Sequence, residues 1–168
     1  GAAVASSPDP LVGYRWDATT IARSTFQEFR RQPVQLLGEA SATFVGASSL
    51  LNSTTGSMHV SGAGSVAFDF GSECAGWLQF RSPDLHLDQT SITVLMSSSE
   101  YPLPQQTTTF GAGTNNNMGN CSAPATSLGN GTFQLQLNPE LYDGLRYGWL
   151  YVRAGEGSFQ PFTVVEFT

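Results

Sequence analysis

Two histidines, thirteen acids and two cysteines are the groups that could carry chemistry in this chain of 168 residues. His59 and His86 lie in separate segments with no HExxH or CxxC pattern near either, so no transition-metal site is expected. No G-x-S-x-G elbow or phosphate-binding loop occurs, and Gly62-Ala63-Gly64 reads as a turn between strands. Glycoside hydrolysis needs only two carboxyl groups at the right separation. Asp69 and Glu73 flank a Gly-rich turn, and Glu100 stands next to Tyr101. Asp69 fits equally an outward strand position or a carboxylate bonded to turn amides, and Glu100 a solvated strand end. No residue is therefore assigned a catalytic role. Asp84 and Asp88, with backbone carbonyls, could offer oxygen ligands to calcium. No other metal or cofactor is expected.

Aromatic residues offer different chemistry. The C–H face of a sugar ring stacks on Trp or Tyr, so Trp77, Tyr101, Tyr147 and Trp149 are candidates for a shallow glycan cleft. Trp77 and Trp149 sit in apolar runs that suit a core just as well. Tyr101, between Glu100 and Pro102, has the setting of a loop mouth. The candidate carbohydrate contacts are Glu100, Tyr101 and Trp77.

The chain carries seven arginines, no lysine and a net charge of -6. Such a balance excludes the basic footprint of a nucleic-acid binder and disfavours an anionic membrane surface. No apolar run approaches the roughly 18 residues of a membrane span. Sequons occur at Asn52-Ser53-Thr54, Asn120-Cys121-Ser122 and Asn130-Gly131-Thr132. Together they point to a secreted, extracellular glycoprotein with glycans on Asn52, Asn120 and Asn130. In that compartment Cys74 and Cys121 are expected to form a disulfide, worth ~4 kcal/mol on the chain-entropy model. No signal peptide is read at Gly1, and the sequence looks like a mature or trimmed chain.

These groups must be held by β-structure. Counts of 19 Ser, 16 Thr and 18 Gly make about a third of the chain small and turn-forming or β-tolerant. Residues 1–13, with Pro8 and Pro10, read as a flexible lead-in, and 14–168 as one domain. Residues 14–33 fit either a short helix or an extended segment. Alternation then marks strands at Val66/Phe68/Phe70, Ile92/Val94/Met96 and Phe133/Leu135/Leu137. Three more apolar strands are expected over 77–81, 147–153 and 162–168. Residues 97–131 read as one long decorated loop. Asn138-Pro139-Glu140 has the grammar of a helix start that Asp143-Gly144 ends after one turn. The expected fold is all-β, a jelly-roll-like antiparallel β-sandwich with one short helical turn.

Four segments in order carry a family likeness. Residues 66–80, VAFDFGSECAGWLQF, resemble the "DFG-x-E-x-x-G" stretch of the β-sandwich that precedes the catalytic barrel in α-L-rhamnosidase-like glycoside hydrolases. Ser97-Ser98-Ser99-Glu100-Tyr101 is similar to that domain's "S-x-S-E" strand end, residues 138–148 resemble its "ELY-x-G-x-R-(Y/F)-G" turn, and residues 162–168 its closing strand. The resemblance implies a sandwich beside a catalytic domain and carries no catalytic acid or base onto this chain. It also draws Asp69, Glu73 and Arg146 together as a buried hydrogen-bonded network. Cys74 and the Asn-rich loop depart from the family pattern.

The function expected is a secreted accessory module, carbohydrate-associated or lectin-like, without catalysis of its own, whose partner is a glycan or cell-wall polysaccharide. One alternative is a self-assembling structural subunit of an extracellular wall, sheath or filament, whose free amino-terminal segment adds to a neighbour's sheet edge. Another is a fragment of a rhamnosidase-like hydrolase.

Overall fold

The computed structural model describes residues 29–88, 90–99, 102, 121–135 and 142–168. The chain divides into two compact units, Gly1–Arg30 and Arg31–Thr168. The boundary expected after residue 13 lies outside the described residues, as does most of the ambiguous 14–33 segment. Among the described residues of the second unit, regular structure is antiparallel strand apart from one 3-10 turn. The strands are β1 (Gln35–Leu36), β2 (Phe44–Val45), β3 (Met58–Val60), β4 (Gly64–Gly76), β5 (Gln79–Arg81), β6 (Ile92–Ser99), β7 (Cys121–Gly129), β8 (Thr132–Leu135), β9 (Tyr142–Ala154), β10 (Phe162–Val164) and β11 (Glu166–Phe167).

Eight strands form one sheet in the order β1-β4-β9-β6-β7-β8-β5-β11, and three form another in the order β10-β3-β2. The larger sheet folds over on itself. Phe68 on β4, second in that order, and Phe167 on β11, last in it, have ring centroids only 4.6 Å apart. The fold line is β7, whose first half pairs with β6 (Leu95↔Pro124) and whose second half pairs with β8 (Ala125↔Leu135). One layer is therefore β1-β4-β9-β6, and the other is β8-β5-β11 with the small sheet. This is the expected antiparallel β-sandwich.

Alternation decides what fills the space between the layers. Val66, Phe68, Val94, Met96, Leu150 and Val152 come from the first layer, and Phe80, Phe133, Leu135 and Phe167 from the second, all buried in one cluster with Val60, Phe162 and Val164. Phe80 stacks on its cross-strand neighbour Phe133 at 4.9 Å. Gly148 on β9 marks the closest approach: a Cβ there would stand 2.6 Å from Leu78 Cδ1 and 3.1 Å from Phe167 Cε1. The β7–β8 connection is Asn130-Gly131, with φ of 50° and 69°, the two left-handed residues of a type I′ hairpin turn.

Several expectations are corrected here. The segment 97–131 is not one loop, because β6 runs on to Ser99 and β7 begins at Cys121. Its strand character is hidden because β7 buries only the methyl groups of Ala123 and Ala125 while Pro124 and Thr126 face out. The closing segment is two strands interrupted at Val165, whose amide donates to the Arg81 carbonyl at 2.9 Å. Among the described residues the single helical turn is a 3-10 turn at Ala47–Leu50. The turn expected at Asn138 and the strand position Leu137 lie outside the described residues.

The expected Cys74–Cys121 disulfide is not formed. Cys74 is on β4 and Cys121 on β7, with β9 and β6 between them. Three strand-to-strand steps of about 4.8 Å place the two backbones roughly 14 Å apart, far beyond disulfide reach. Cys74 is a free thiol, half-buried, donating to the Leu145 carbonyl at 3.4 Å.

Candidate functional site

The side of the second layer turned away from the core carries a polar row. Since Phe80, Phe133 and Phe167 point inward, the residues between them point away from the core, with Thr126 exposed, Gln79 and Thr168 half-buried, and Gln134 and Glu166 only 9% and 8% exposed. Gln79 faces Gln134, and Gln134 faces Thr126. On the other side Gln79 and Thr168 exchange both backbone hydrogen bonds, at 2.7 and 2.9 Å. Thr168, Gln79, Gln134 and Thr126 thus form one row across four strands, hydroxyl, amide, amide, hydroxyl. Gln79 Nε2 donates to Gln134 Oε1 at 2.6 Å, which leaves Gln79 Oε1 as an acceptor and Gln134 Nε2 as a donor.

A second row lies beside the first: Glu166, Arg81 and Thr132. Arg81 Nη1 stands 3.7 Å from Glu166 Oε2, and the two side chains are 49% and 10% exposed. Trp77 precedes Gln79 by two residues and is half-buried, whereas the intervening Leu78 is fully buried and its carbonyl accepts from Leu135 N at 2.9 Å. Trp77 lies in the two-residue connection between β4 and β5, and continuing the alternation of β5 back through Leu78 assigns its ring to the side of Gln79. Trp77 is thus not the core residue that its apolar surroundings suggest.

Trp149, the other tryptophan in an apolar run, is 2% exposed, and Tyr147 is buried with it, their rings 6.3 Å apart. Register puts Trp149 between Ala67 and Ser97 on the face of β4-β9-β6 turned away from Phe68 and Leu150. Ser97 Oγ, fully buried in that row, has no hydrogen-bond partner among the described residues. Glu100 and Tyr101, the other two candidate carbohydrate contacts, lie outside the described residues.

Asp69 and Arg146 meet as the family likeness implies. Arg146 Nε donates to Asp69 Oδ1 at 3.0 Å and Nη2 to Oδ2 at 3.1 Å, a bidentate pair. Residues 70–73 form an irregular stretch between Asp69↔Tyr147 and Cys74↔Leu145, and Asp69 Oδ1 also accepts from Gly71 N at 2.7 Å. Gly71 suits this turn because its φ is 81°. The Arg146 hydrogen bonds, helped by that of Gly71, hold the Asp69 carboxyl below the usual carboxylate range against the upward push of burial. The Arg146 guanidinium also covers the Tyr147 ring at 5.0 Å. Glu73 is exposed and acts on Arg146 through charge alone, so it is no part of a buried network. With both Asp69 oxygens engaged, this cluster is a brace between β4 and β9.

Asp84, the calcium candidate, has a structural task as well. Burial pushes its carboxyl up, but hydrogen bonds from Thr163 N at 2.9 Å and Ser82 Oγ at 3.0 Å bring it below the ordinary value. Among the described residues no group of three His, Cys, Asp or Glu side chains is placed to hold a metal ion. His59 and His86 are exposed. Asn52 and Asn130 are exposed and both have φ of 50°, whereas Asn120 lies outside the described residues.

The fold and this face define an all-β sandwich with an outward polar surface headed by a tryptophan. No family model matches the chain, and no curated protein does. Among solved structures it is similar to "CBM32 of AlyQ in complex with 4,5-unsaturated mannuronic acid", with 14% identity over 83% of this chain and 96% of that one and a TM-score of 0.38. The assignment of the fold rests on the strand pairing and the core described above.

Proposed function

We propose that the chain is a secreted, N-glycosylated accessory module that binds carbohydrate and has no catalysis of its own. The observation that carries this reading is the half-buried Trp77 ring at the head of a row of amides and hydroxyls. A sugar presents C–H faces and hydroxyls, and such a surface meets both. Exposed Asn52 and Asn130 in turns support glycan attachment there, with Asn120 as the third sequon. Engagement of Asp69 by Arg146 and Gly71 supports a non-catalytic role for that carboxylate. The four segments that resemble the rhamnosidase-associated sandwich support a place beside a catalytic domain, with neither metal nor cofactor needed for binding.

A glycan array probed with the full chain, run beside a sizing column, tests this. Glycan binding by a monomer supports the module. Large assemblies without glycan binding support the self-assembling subunit and overturn the module. Hydrolysis of a bound glycan overturns the absence of catalysis.

A further inference from the structure

Building on the carbohydrate-binding reading, we infer that the outward face of β5, β8, β7 and β11 is the binding surface and that its ligand is a neutral glycan chain lying across the strands. Three features of the face select this class. First, Trp77 offers a flat apolar ring at one side of the surface, the partner that a pyranose C–H face requires. Second, the Thr168–Gln79–Gln134–Thr126 row repeats donor and acceptor groups at the strand spacing of about 4.8 Å. Sugar hydroxyls donate and accept alike, and the Gln79–Gln134 bond leaves the half-buried Gln79 with a free acceptor and Gln134, 9% exposed, with a donor set deeper in the row.

Third, the charges on these two rows are balanced. Arg81 and Glu166 face each other at 3.7 Å, and the remaining members, Thr132, Thr126, Thr168, Gln79 and Gln134, are uncharged. A polyanionic chain would meet one guanidinium already opposed by a carboxylate, on a protein of net charge -6. A neutral chain has no such penalty. The surface is also held rigid from behind, because Phe80, Phe133 and Phe167 fill the core beneath the same strands. Rigidity lowers the ordering cost of binding.

The test is affinity electrophoresis of the full chain in gels containing a neutral β-glucan, xylan or galactan, or acidic polygalacturonate, with Trp77→Ala, Trp77→Phe and Gln79→Ala beside the wild type. The expected result is retardation by at least one neutral polysaccharide, unchanged from about 0.05 to about 0.5 M salt, where charge attraction is screened. Trp77→Ala should weaken that binding about tenfold, Gln79→Ala several-fold, and Trp77→Phe less than Trp77→Ala. Wild-type retardation that all three variants share in full would overturn the assignment of the face while leaving carbohydrate binding intact. Retardation by polygalacturonate alone, lost in salt, would overturn the neutral class. No retardation in any gel would sink the carbohydrate reading and this inference with it. Thermal unfolding of each variant separates lost binding from lost fold, and Gln79→Ala, which truncates an outward side chain, tests the face if Trp77→Ala does not fold.

Discussion

Replacing Gly148 by alanine probes the contact between the two layers with a single carbon atom. The new Cβ would lie 2.6 Å from Leu78 Cδ1, 3.1 Å from Leu78 Cδ2 and 3.1 Å from Phe167 Cε1, against the 3.4–4 Å of ordinary contact. Neither neighbour has anywhere to go, because Leu78 and Phe167 are both fully buried. Overpacking of this kind costs about 1–3 kcal/mol. Alanine recovers part of it, about 0.4–1 kcal/mol, by restricting the unfolded chain. The net expectation is a loss of about 1–2 kcal/mol, or roughly 2–8 °C in Tm for a domain of this size. Gly76→Ala is the matched control, since a Cβ at Gly76 on β4 meets nothing within 4 Å. Urea unfolding followed by tryptophan fluorescence would compare the two. If Gly148→Ala is as stable as Gly76→Ala, the layers are not pressed together at this point and the packing argument fails.

Three other outcomes follow from the same contacts. Ser97→Ala removes a buried hydroxyl that has no partner among the described residues, so stability should rise by up to about 1 kcal/mol, and a fall in Tm would show that the hydroxyl is bonded in solution. Asp69 has its folded-state pKa depressed, so its pairing with Arg146 stabilises the fold above the unfolded value of about 4 and is lost as pH falls through the lower folded value. The stability gap between wild type and Asp69→Asn should therefore hold above about pH 5 and narrow below about pH 4, and a gap unchanged into strong acid would contradict the ion pair. Alkylation in denaturant without reductant should label the Cys74 thiol in an intact-mass measurement, and protection of both cysteines would restore the disulfide.

Strands with large alternating apolar residues were legible in the sequence. Val66, Phe68 and Phe70, or Ile92, Val94 and Met96, announce β4 and β6 because each second residue must enter the core. β7 was hidden because alanine methyls are enough beside the fold line, and a proline and a sequon made its surroundings look like loop. The end of β6 was hidden for the opposite reason: Ser97, Ser98 and Ser99 are polar and yet buried. Local pattern also could not place the two tryptophans, both set in apolar runs. Trp149 is enclosed, while Trp77, in the connection before β5, is half-buried beside a fully buried Leu78. The polar row across Thr168, Gln79, Gln134 and Thr126 was unreadable, since it is assembled by pairing strands distant in the chain. Asp69 and Arg146 are likewise distant in sequence, and only the family likeness brought them together in advance.

The central claim is that a sugar binds on this outward face. Titration of the isotope-labelled chain with a neutral oligosaccharide series, followed by amide and indole NMR shifts, tests it most directly. The Trp77 indole and the Gln79 and Gln134 side-chain amides are expected to shift together and saturate at one affinity. Shifts confined to other residues, with those three signals unmoved at saturation, would contradict it.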